Sequence, residues 1–370
     1  MSADLAAIRR ALTGSVGNLM ILFLPIAVAL DLMHASDVWL FATSALAIVP
    51  LAGLIGTATE DLSEHVGPGI GGLLNATFGN GAELLIGAIA LNAGLVDVVK
   101  ASLSGSIIGN LLLVLGFAIV AGGWGRNVQR FSATGAGAQT SMLFLAVVAL
   151  VMPAIYQITT RSSAADLARS VDLISLCSAL VMLVAYVAGL WFSLRTHRDV
   201  FREPTDETEV VDRPPPMLSV RAAIVLLAIA TAMTAVSAEI LVGSVEQFSH
   251  GVGLTDLFVG VVVIAIVGNA AEHWSAVVIA REGNMQLAMN IAKSSSVQIA
   301  LMVAPLLILF SWLLGHPMSL VFHPLELFGI ALAVGAAHLV SMDGETHWFE
   351  GVLLMAVYAL LGISFFFVPS

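Results

Sequence analysis

Two short segments decide the fold: Gly79-Asn80-Gly81-Ala82-Glu83 and Gly268-Asn269-Ala270-Ala271-Glu272. Each lies inside an apolar stretch long enough to cross a bilayer, and in each the Asn and the Glu share one helical face because they are three residues apart. A carboxylate inside a membrane is costly, so it indicates a functional site. The repetition predicts a duplicated transporter in which both halves contribute to one ion site. For either segment alone, a structural hydrogen-bonding role is the alternative.

The composition is that of a membrane protein. Hydrophobic residues make up 59% of the chain and charged residues 11%, against about 45–50% and about 25% in soluble proteins. We therefore predict a polytopic protein embedded in the lipid bilayer, and interpret the apolar run after Arg9 and Arg10 as a first membrane helix, not a cleaved signal peptide. The net charge of −11 and the lack of a basic cluster argue against nucleic acid as a partner.

The apolar runs predict an all-α fold of about eleven transmembrane helices. We place them near residues 14–31, 38–58, 68–95, 99–121, 138–157, 171–194, 219–243, 254–280, 287–314, 321–341 and 348–368. The predicted organisation is an extra N-terminal helix (1–37), a first five-helix repeat (38–194), a cytoplasmic linker loop (195–218) and a second five-helix repeat (219–370). The two motif helices are the third and eighth spans, so they cross in opposite directions and the repeats are inverted.

The distribution of Lys and Arg predicts the orientation. With a cytoplasmic N-terminus, the inward loops hold most of the arginines, and the outward loops hold Lys100, Arg161 and Arg169. The C-terminus then lies outside. The short tails are typical of a bacterial protein, which predicts the inner membrane; the oligomeric state stays open, with a homo-oligomer as one alternative.

The chemistry of the motifs favours a hard cation. Asn80 with Glu83, and Asn269 with Glu272, are all-oxygen ligand pairs, and Ca²⁺ takes about six to eight oxygens. Their small neighbours, Gly79 and Gly268 among them, allow close helix packing and let the helix open to expose backbone carbonyls. Zinc is disfavoured because no Cys/His cluster accompanies the acids. We expect no cofactor, since Ca²⁺ and protons would be transported substrates.

A second repeat follows each motif. Ser106 and Asn110 in the first half correspond to Ser295, Ser296 and Gln298 in the second. Their hydroxyls and amides are candidates for orienting the carboxylates or supplying further oxygens. The alternative for the serines is hydrogen bonding to their own helix.

Further polar residues lie outside the motifs. His273 follows Glu272 directly and is interpreted either as a partner of that carboxylate or as a core histidine. Glu60 and Asp61, at the inner end of the second span, are candidates for collecting cations at the entrance, with an ordinary interfacial loop as the alternative. Glu239, near the outer end of the seventh span, is a candidate for the exit path.

The motif segments resemble a known family. Gly71 to Leu84, Val267 to His273, Gln298-Ile299-Ala300-Leu301 and the ending from Trp348 to Pro369 are similar to the calcium/proton exchanger branch of the Ca²⁺:cation antiporter superfamily. The resemblance implies eleven helices in inverted five-helix repeats, export of cytosolic Ca²⁺ against inward proton flow, and essential ion-binding roles for Glu83 and Glu272, with Asn80 and Asn269 beside them. One departure is Lys293 next to Ser294, where the family often has Gly-Ser-Ser. We expect its ammonium to snorkel to the interface, with weakened divalent affinity as the alternative.

The predicted function is therefore a secondary active antiporter in which Glu83 and Glu272 bind Ca²⁺ or protons competitively during alternating access. Na⁺(K⁺)/H⁺ antiport with the same fold is the alternative. A channel is a further alternative, and ion flux that depends on the opposing proton gradient would exclude it. An intramembrane metalloenzyme would need a motif such as His-Glu-x-x-His, which the sequence lacks, so no enzymatic activity is expected.

Overall fold

The computed structural model describes residues 16–161, 163–197, 200 and 217–368, with Asp4, Ile8, Arg9 and Leu12 near the N-terminus. Most of the predicted linker, residues 201–216, lies outside the described residues. The α-helices, numbered in chain order, are α1 (Phe23–Leu32), α2 (Asp37–Val66), α3 (Pro68–Phe78), α4 (Gly81–Asn92), α5 (Val96–Gly123), α6 (Ala133–Thr159), α7 (Ala164–Thr196), α8 (Val220–Val252), α9 (Asp256–Gly268), α10 (Ala270–Glu282), α11 (Met285–Leu313), α12 (Pro324–Val340) and α13 (Trp348–Phe366). Strands β1 (Gln129–Arg130) and β2 (Glu345–Thr346) pair antiparallel.

The chain is a polytopic, mostly helical membrane protein. Among the described residues, seven helices are long and apolar enough to cross a membrane: α2, α5, α6, α7, α8, α11 and α13. The bent pair α9 and α10 supplies an eighth if it counts as one span. Shorter apolar helices cover Gly17–Leu32, Gly81–Asn92 and Pro324–Val340.

Two helices extend beyond the spans that hydropathy predicts. The predicted spans 38–58 and 219–243 correspond to α2, which continues to Val66, and to α8, which continues to Val252. The extra turns carry charged and polar residues, which apolarity does not detect but which an α-helix accommodates once it leaves the hydrocarbon. The helix α8 ends at Gly253, whose φ of 72° is the left-handed conformation typical of a C-terminal glycine.

The helices group into two compact units. The first comprises residues 1–89, 203–254 and 267–271, and in it α2 packs along α8. Leu51 and Ile55 of α2 and Leu226 of α8 lie in one buried cluster. A buried polar link joins the same two helices, since the Ser237 hydroxyl donates to the carbonyl oxygen of Ser44 over 3.0 Å.

The second unit comprises residues 90–202, 255–266 and 272–370. In it α5 and α13 approach so closely that only glycine fits at their crossing. A Cβ at Gly351 would lie 2.6 Å from the Gly116 carbonyl oxygen, and a Cβ at Gly116 would lie 2.9 Å from the Gly351 carbonyl oxygen. Lipid tails are as apolar as the helix surfaces, so membrane helices associate through close backbone packing of this kind.

Several helices contain a π-helical segment, in which the turn widens by one residue. In α5 the segment covers Gly109–Val114, and in α11 it covers Ile299–Val303. The first therefore starts one residue before Asn110 and the second starts directly after Gln298. Wide turns of this kind are frequent at functional sites.

Candidate functional site

The first motif lies at a break in the backbone. Helix α3 ends at Phe78 and α4 begins at Gly81, which leaves Gly79 and Asn80 between them. Asn80 is buried, and its carbonyl oxygen accepts the amide of Leu84 in the first turn of α4. A break therefore occurs among the small residues where the sequence predicts that the helix can open, and the exposure of backbone carbonyls stays a prediction.

Glu83 lies in the first turn of α4 with 7% of its surface exposed. Both of its carboxylate oxygens are buried, and neither has a hydrogen-bond partner among the described residues. A buried carboxylate without partners is costly as an anion. A proton or a bound cation would neutralise this carboxylate, which fits the predicted ion-binding role of Glu83; the role itself stays a prediction.

The second motif breaks its helix in the same place. Helix α9 ends at Gly268 and α10 begins at Ala270, with a bend of 60° at Asn269, which is fully buried. The break at Asn269 thus repeats the break at Asn80, as the matching sequences lead one to expect.

The two motifs meet within the first unit. A Cβ at Gly268 would lie 3.6 Å from both Cγ and Oε1 of Glu83, so the backbone of the second motif lies directly against the carboxylate of the first. Both breaks also lie against α2: the methyl group of Ile55 is 3.5 Å from the Cβ position of Gly81, and the Cβ of Ala271 is 3.8 Å from that of Gly53.

Glu272 and His273 follow in the second unit. Glu272 lies in the first turn of α10, the position that Glu83 has in α4. Both Glu272 and His273 are half-buried. The role of His273 beside the carboxylate stays a prediction.

The residues of the second repeat lie on α5 and α11, and the structure brings two of them together. The Nδ2 of Asn110 donates to Oγ of Ser295 over 2.9 Å. Ser296 donates to the Ala292 carbonyl of its own helix over 3.0 Å, the alternative left open for these serines. Ser106 is buried on α5.

The candidate pathway acids differ from one another. Glu60 and Glu239 are exposed. Asp61 is buried, and its carboxylate accepts the backbone amides of Met217 at 3.3 Å and Leu218 at 2.9 Å. Asp61 therefore holds the start of α8, and a role in collecting cations stays a prediction for it and for the other two.

Two charged residues have surroundings that the sequence does not reveal. The prediction that Lys293 snorkels to the interface is wrong. Its side chain is fully buried, and hydroxyl oxygens of Thr140 and Ser341 accept hydrogen bonds from its ammonium in place of water. Glu326 on α12 is 2% exposed and accepts the hydroxyl of Ser104 at 2.6 Å. Its only sequence signal is a carboxylate inside an apolar segment.

No group of three or more His, Cys, Asp or Glu side chains that could hold a metal ion occurs among the described residues. A cation bound at Glu83 would therefore take further ligands from amide, hydroxyl and backbone oxygens. Such a mixed oxygen set suits a hard cation and not zinc.

Comparisons with known proteins find relatives over most of the chain. The family model described as sodium/calcium exchanger protein matches residues 36–195 and 222–367. A Ca²⁺/H⁺ antiporter of Aphanothece halophytica is 39% identical over 360 residues, covering 95% of this chain and 96% of that protein. A Ca²⁺/H⁺ antiporter of Synechocystis sp. is 41% identical over 363 residues, covering 95% and 97%.

A solved structure is also similar. The structure of native YfkE is 36% identical and has a TM-score of 0.82, covering 96% of this chain and 100% of that one. The match therefore extends through both motifs and both units. The chain belongs to the sodium/calcium exchanger protein family, within its calcium/proton exchanger branch.

Proposed function

We propose that this protein is a secondary active antiporter that exports cytosolic Ca²⁺ in exchange for protons. The observation that carries the proposal is Glu83, a buried carboxylate whose two oxygens have no hydrogen-bond partner among the described residues and which lies against the second motif at Gly268. The names of the relatives, Ca²⁺/H⁺ antiporters about 40% identical over most of the chain, support the same substrates.

The proposed mechanism is competition at one site. Glu83 and Glu272 bind either one divalent cation or protons, because two acids of like charge repel each other until a cation or protons neutralise them. Asn80 and Asn269 add amide oxygens, and the helix breaks add backbone carbonyls. Mutually exclusive occupancy, combined with alternating access, couples the two fluxes without catalysis or a cofactor, so the protein is not an enzyme.

The proposed topology has eleven spans. Among the described residues, the seven long helices, the bent pair and the three shorter apolar helices together make eleven. The breaks at Asn80 and Asn269 support two five-helix repeats of inverted orientation. The N-terminus is cytoplasmic, the C-terminus is outside and the membrane is the bacterial inner membrane. Labelling of single cysteines at the two ends in intact cells tests this orientation.

Purified protein in liposomes tests the function. A Ca²⁺-sensitive dye follows Ca²⁺ movement under an imposed pH gradient, before and after an ionophore collapses that gradient. We expect Ca²⁺ movement that follows the gradient in the wild type and in Glu246→Gln, which changes an exposed acid of the first unit. Glu83→Gln should abolish it.

The outcomes separate the alternatives. Gradient-driven movement of Na⁺ or K⁺ without Ca²⁺ would keep the site and refute Ca²⁺ as the substrate. Ca²⁺ movement that ignores the proton gradient would indicate a channel. Exchange at the wild-type rate in Glu83→Gln would refute the assignment of the site.

A further inference from the structure

Lys293 lies in an enclosed pocket of oxygens within the second unit. Its side chain has no exposed surface, and its Nζ is 2.5 Å from the hydroxyl of Ser341, 3.1 Å from the hydroxyl of Thr140 and 3.4 Å from the carbonyl oxygen of Ala136. Thr140 and Ala136 belong to α6, and Ser341 follows the last residue of α12. One ammonium therefore joins α11 to two other helices.

The hydrogen-bond directions fit a charged ammonium. The Thr140 hydroxyl donates its proton to the Ala136 carbonyl, and the Ser341 hydroxyl donates to the carbonyl of Ala337, so each offers only a lone pair to Lys293. The three N–H donors of –NH₃⁺ thus meet three acceptors. In the part of the chain that the structure describes, no carboxylate forms an ion pair with Lys293.

The next two residues extend the same attachment. Ser294 accepts Nε2 of Gln139 on α6 over 2.7 Å, and Ser295 accepts Nδ2 of Asn110 on α5 over 2.9 Å. Three consecutive residues of α11 therefore bind α5, α6 and the end of α12. They lie in the last three turns of the α-helical part of α11, which the π-helical segment Ile299–Val303 follows.

A buried ammonium without a countercharge is costly, so a purely apolar residue would pack here at lower cost. What the charge adds is three directed bonds that fix both the rotation and the axial position of α11. The residue that depends most directly on this position is Ser295, two residues away, in its bond to Asn110.

We infer that Lys293 is a positioning residue, which holds α11 so that Ser295 and Asn110, two candidate ion ligands from the two halves of the chain, stay bonded to each other. This inference rests on the proposed function, with Ser295 and Asn110 taken as the candidate oxygen ligands that the sequence predicts. The alternative is that the ammonium of Lys293 repels a divalent cation. In that case, removing the ammonium would tighten Ca²⁺ binding.

Steady-state Ca²⁺ transport in liposomes, together with the Tm of the purified protein, tests the inference. Lys293→Met keeps an unbranched side chain, one atom shorter than that of lysine, and removes the three donors. We expect its KM for Ca²⁺ to rise about tenfold, the effect of losing about one hydrogen bond around the ion, with the maximal rate unchanged. Thr140→Val removes one acceptor and should raise KM by a smaller factor.

The double variant gives the sharper result. With Lys293 already replaced by Met, Thr140→Val should have no further effect on KM, because both changes break the same contact. Thr234→Val is the matched control: that threonine is also buried and bonds only the Ala230 carbonyl of its own helix, at 2.8 Å. It should leave KM unchanged.

Each other outcome is decisive. An unchanged KM with a lowered Tm in Lys293→Met would reduce Lys293 to a structural role, and a lowered KM would mean that its charge acts by repulsion. If Lys293→Met does not fold, an unchanged KM in both Thr140→Val and Ser341→Ala overturns the inference. A wild type that moves no Ca²⁺ refutes the proposed function, and the inference with it; a wild type that transports normally while the variants match it refutes the inference alone.

Discussion

Gly268→Ala separates ion binding from folding stability. The added Cβ would lie 3.6 Å from Cγ and Oε1 of Glu83, an ordinary van der Waals separation, so the methyl group fits without displacing the backbone. Gly268 is not among the glycines with positive φ, and alanine favours the helix by up to about 1 kcal/mol relative to glycine. We therefore expect the free energy of unfolding to be equal to or above that of the wild type.

Ion binding should respond in the opposite direction. Ca²⁺ has to approach a carboxylate oxygen to about 2.3–2.6 Å together with its other oxygen ligands, and the methyl group takes space beside Oε1 of Glu83. We expect the KM for Ca²⁺ to rise by about 10- to 100-fold, the usual effect of changing the groups that surround a metal ligand. That factor equals about 1.4–2.8 kcal/mol of binding free energy.

The assay is Ca²⁺ movement into liposomes at a fixed pH gradient, with Tm measured in detergent on the same preparation. Gly243→Ala is the control, because Gly243 is exposed on α8 and a Cβ there would meet no atom within 4 Å. A Gly268→Ala protein with wild-type KM and wild-type Tm would refute the placement of the second motif against Glu83. A large fall in Tm would instead show that the space beside Glu83 is smaller than the structure indicates.

Three further predictions concern the acids, the helix crossing and pH. Glu83→Gln should abolish exchange without lowering Tm, because a neutral amide replaces a carboxylate with no described partner; exchange or instability would each contradict this. Gly351→Ala should lower the free energy of unfolding by about 1–3 kcal/mol, since its Cβ would lie 2.6 Å from a backbone oxygen, whereas Gly362→Ala on the same helix meets no atom within 4 Å and should not. If protons compete with Ca²⁺ for the acids as proposed, the KM for Ca²⁺ should fall as pH rises; a KM independent of pH would rule out competition.

Sequence alone predicts the motif helices well. Glycines directly before and after Asn80 and before Asn269 make a helix break there inexpensive, and the structure breaks both helices at these residues. The carboxylate of Glu83 also stands out in the sequence, because an acid in an apolar stretch is costly and therefore indicates a functional site.

Other features depend on contacts that no local pattern encodes. The bond between Asn110 and Ser295 joins two helices 185 residues apart in sequence, and no local pattern predicts which of their polar residues meet. The burial of Lys293 depends on oxygens of α6 and on Ser341, which are far away in sequence. The same holds for Asp61, whose partners are amides at the start of α8.

The helix breaks also have an electrostatic consequence. Glu83 and Glu272 each lie in the first turn of the helix that follows a break, where the amides that have no intrahelical partner carry the positive end of the helix macrodipole. In an unbroken span those amides would bond the preceding turn, and the field at the carboxylate would vanish. Each break therefore gives its acid roughly 0.3–2 kcal/mol of attraction to its own backbone. In the proposed cycle, this partial charge would compensate part of the charge of each acid when no cation is bound.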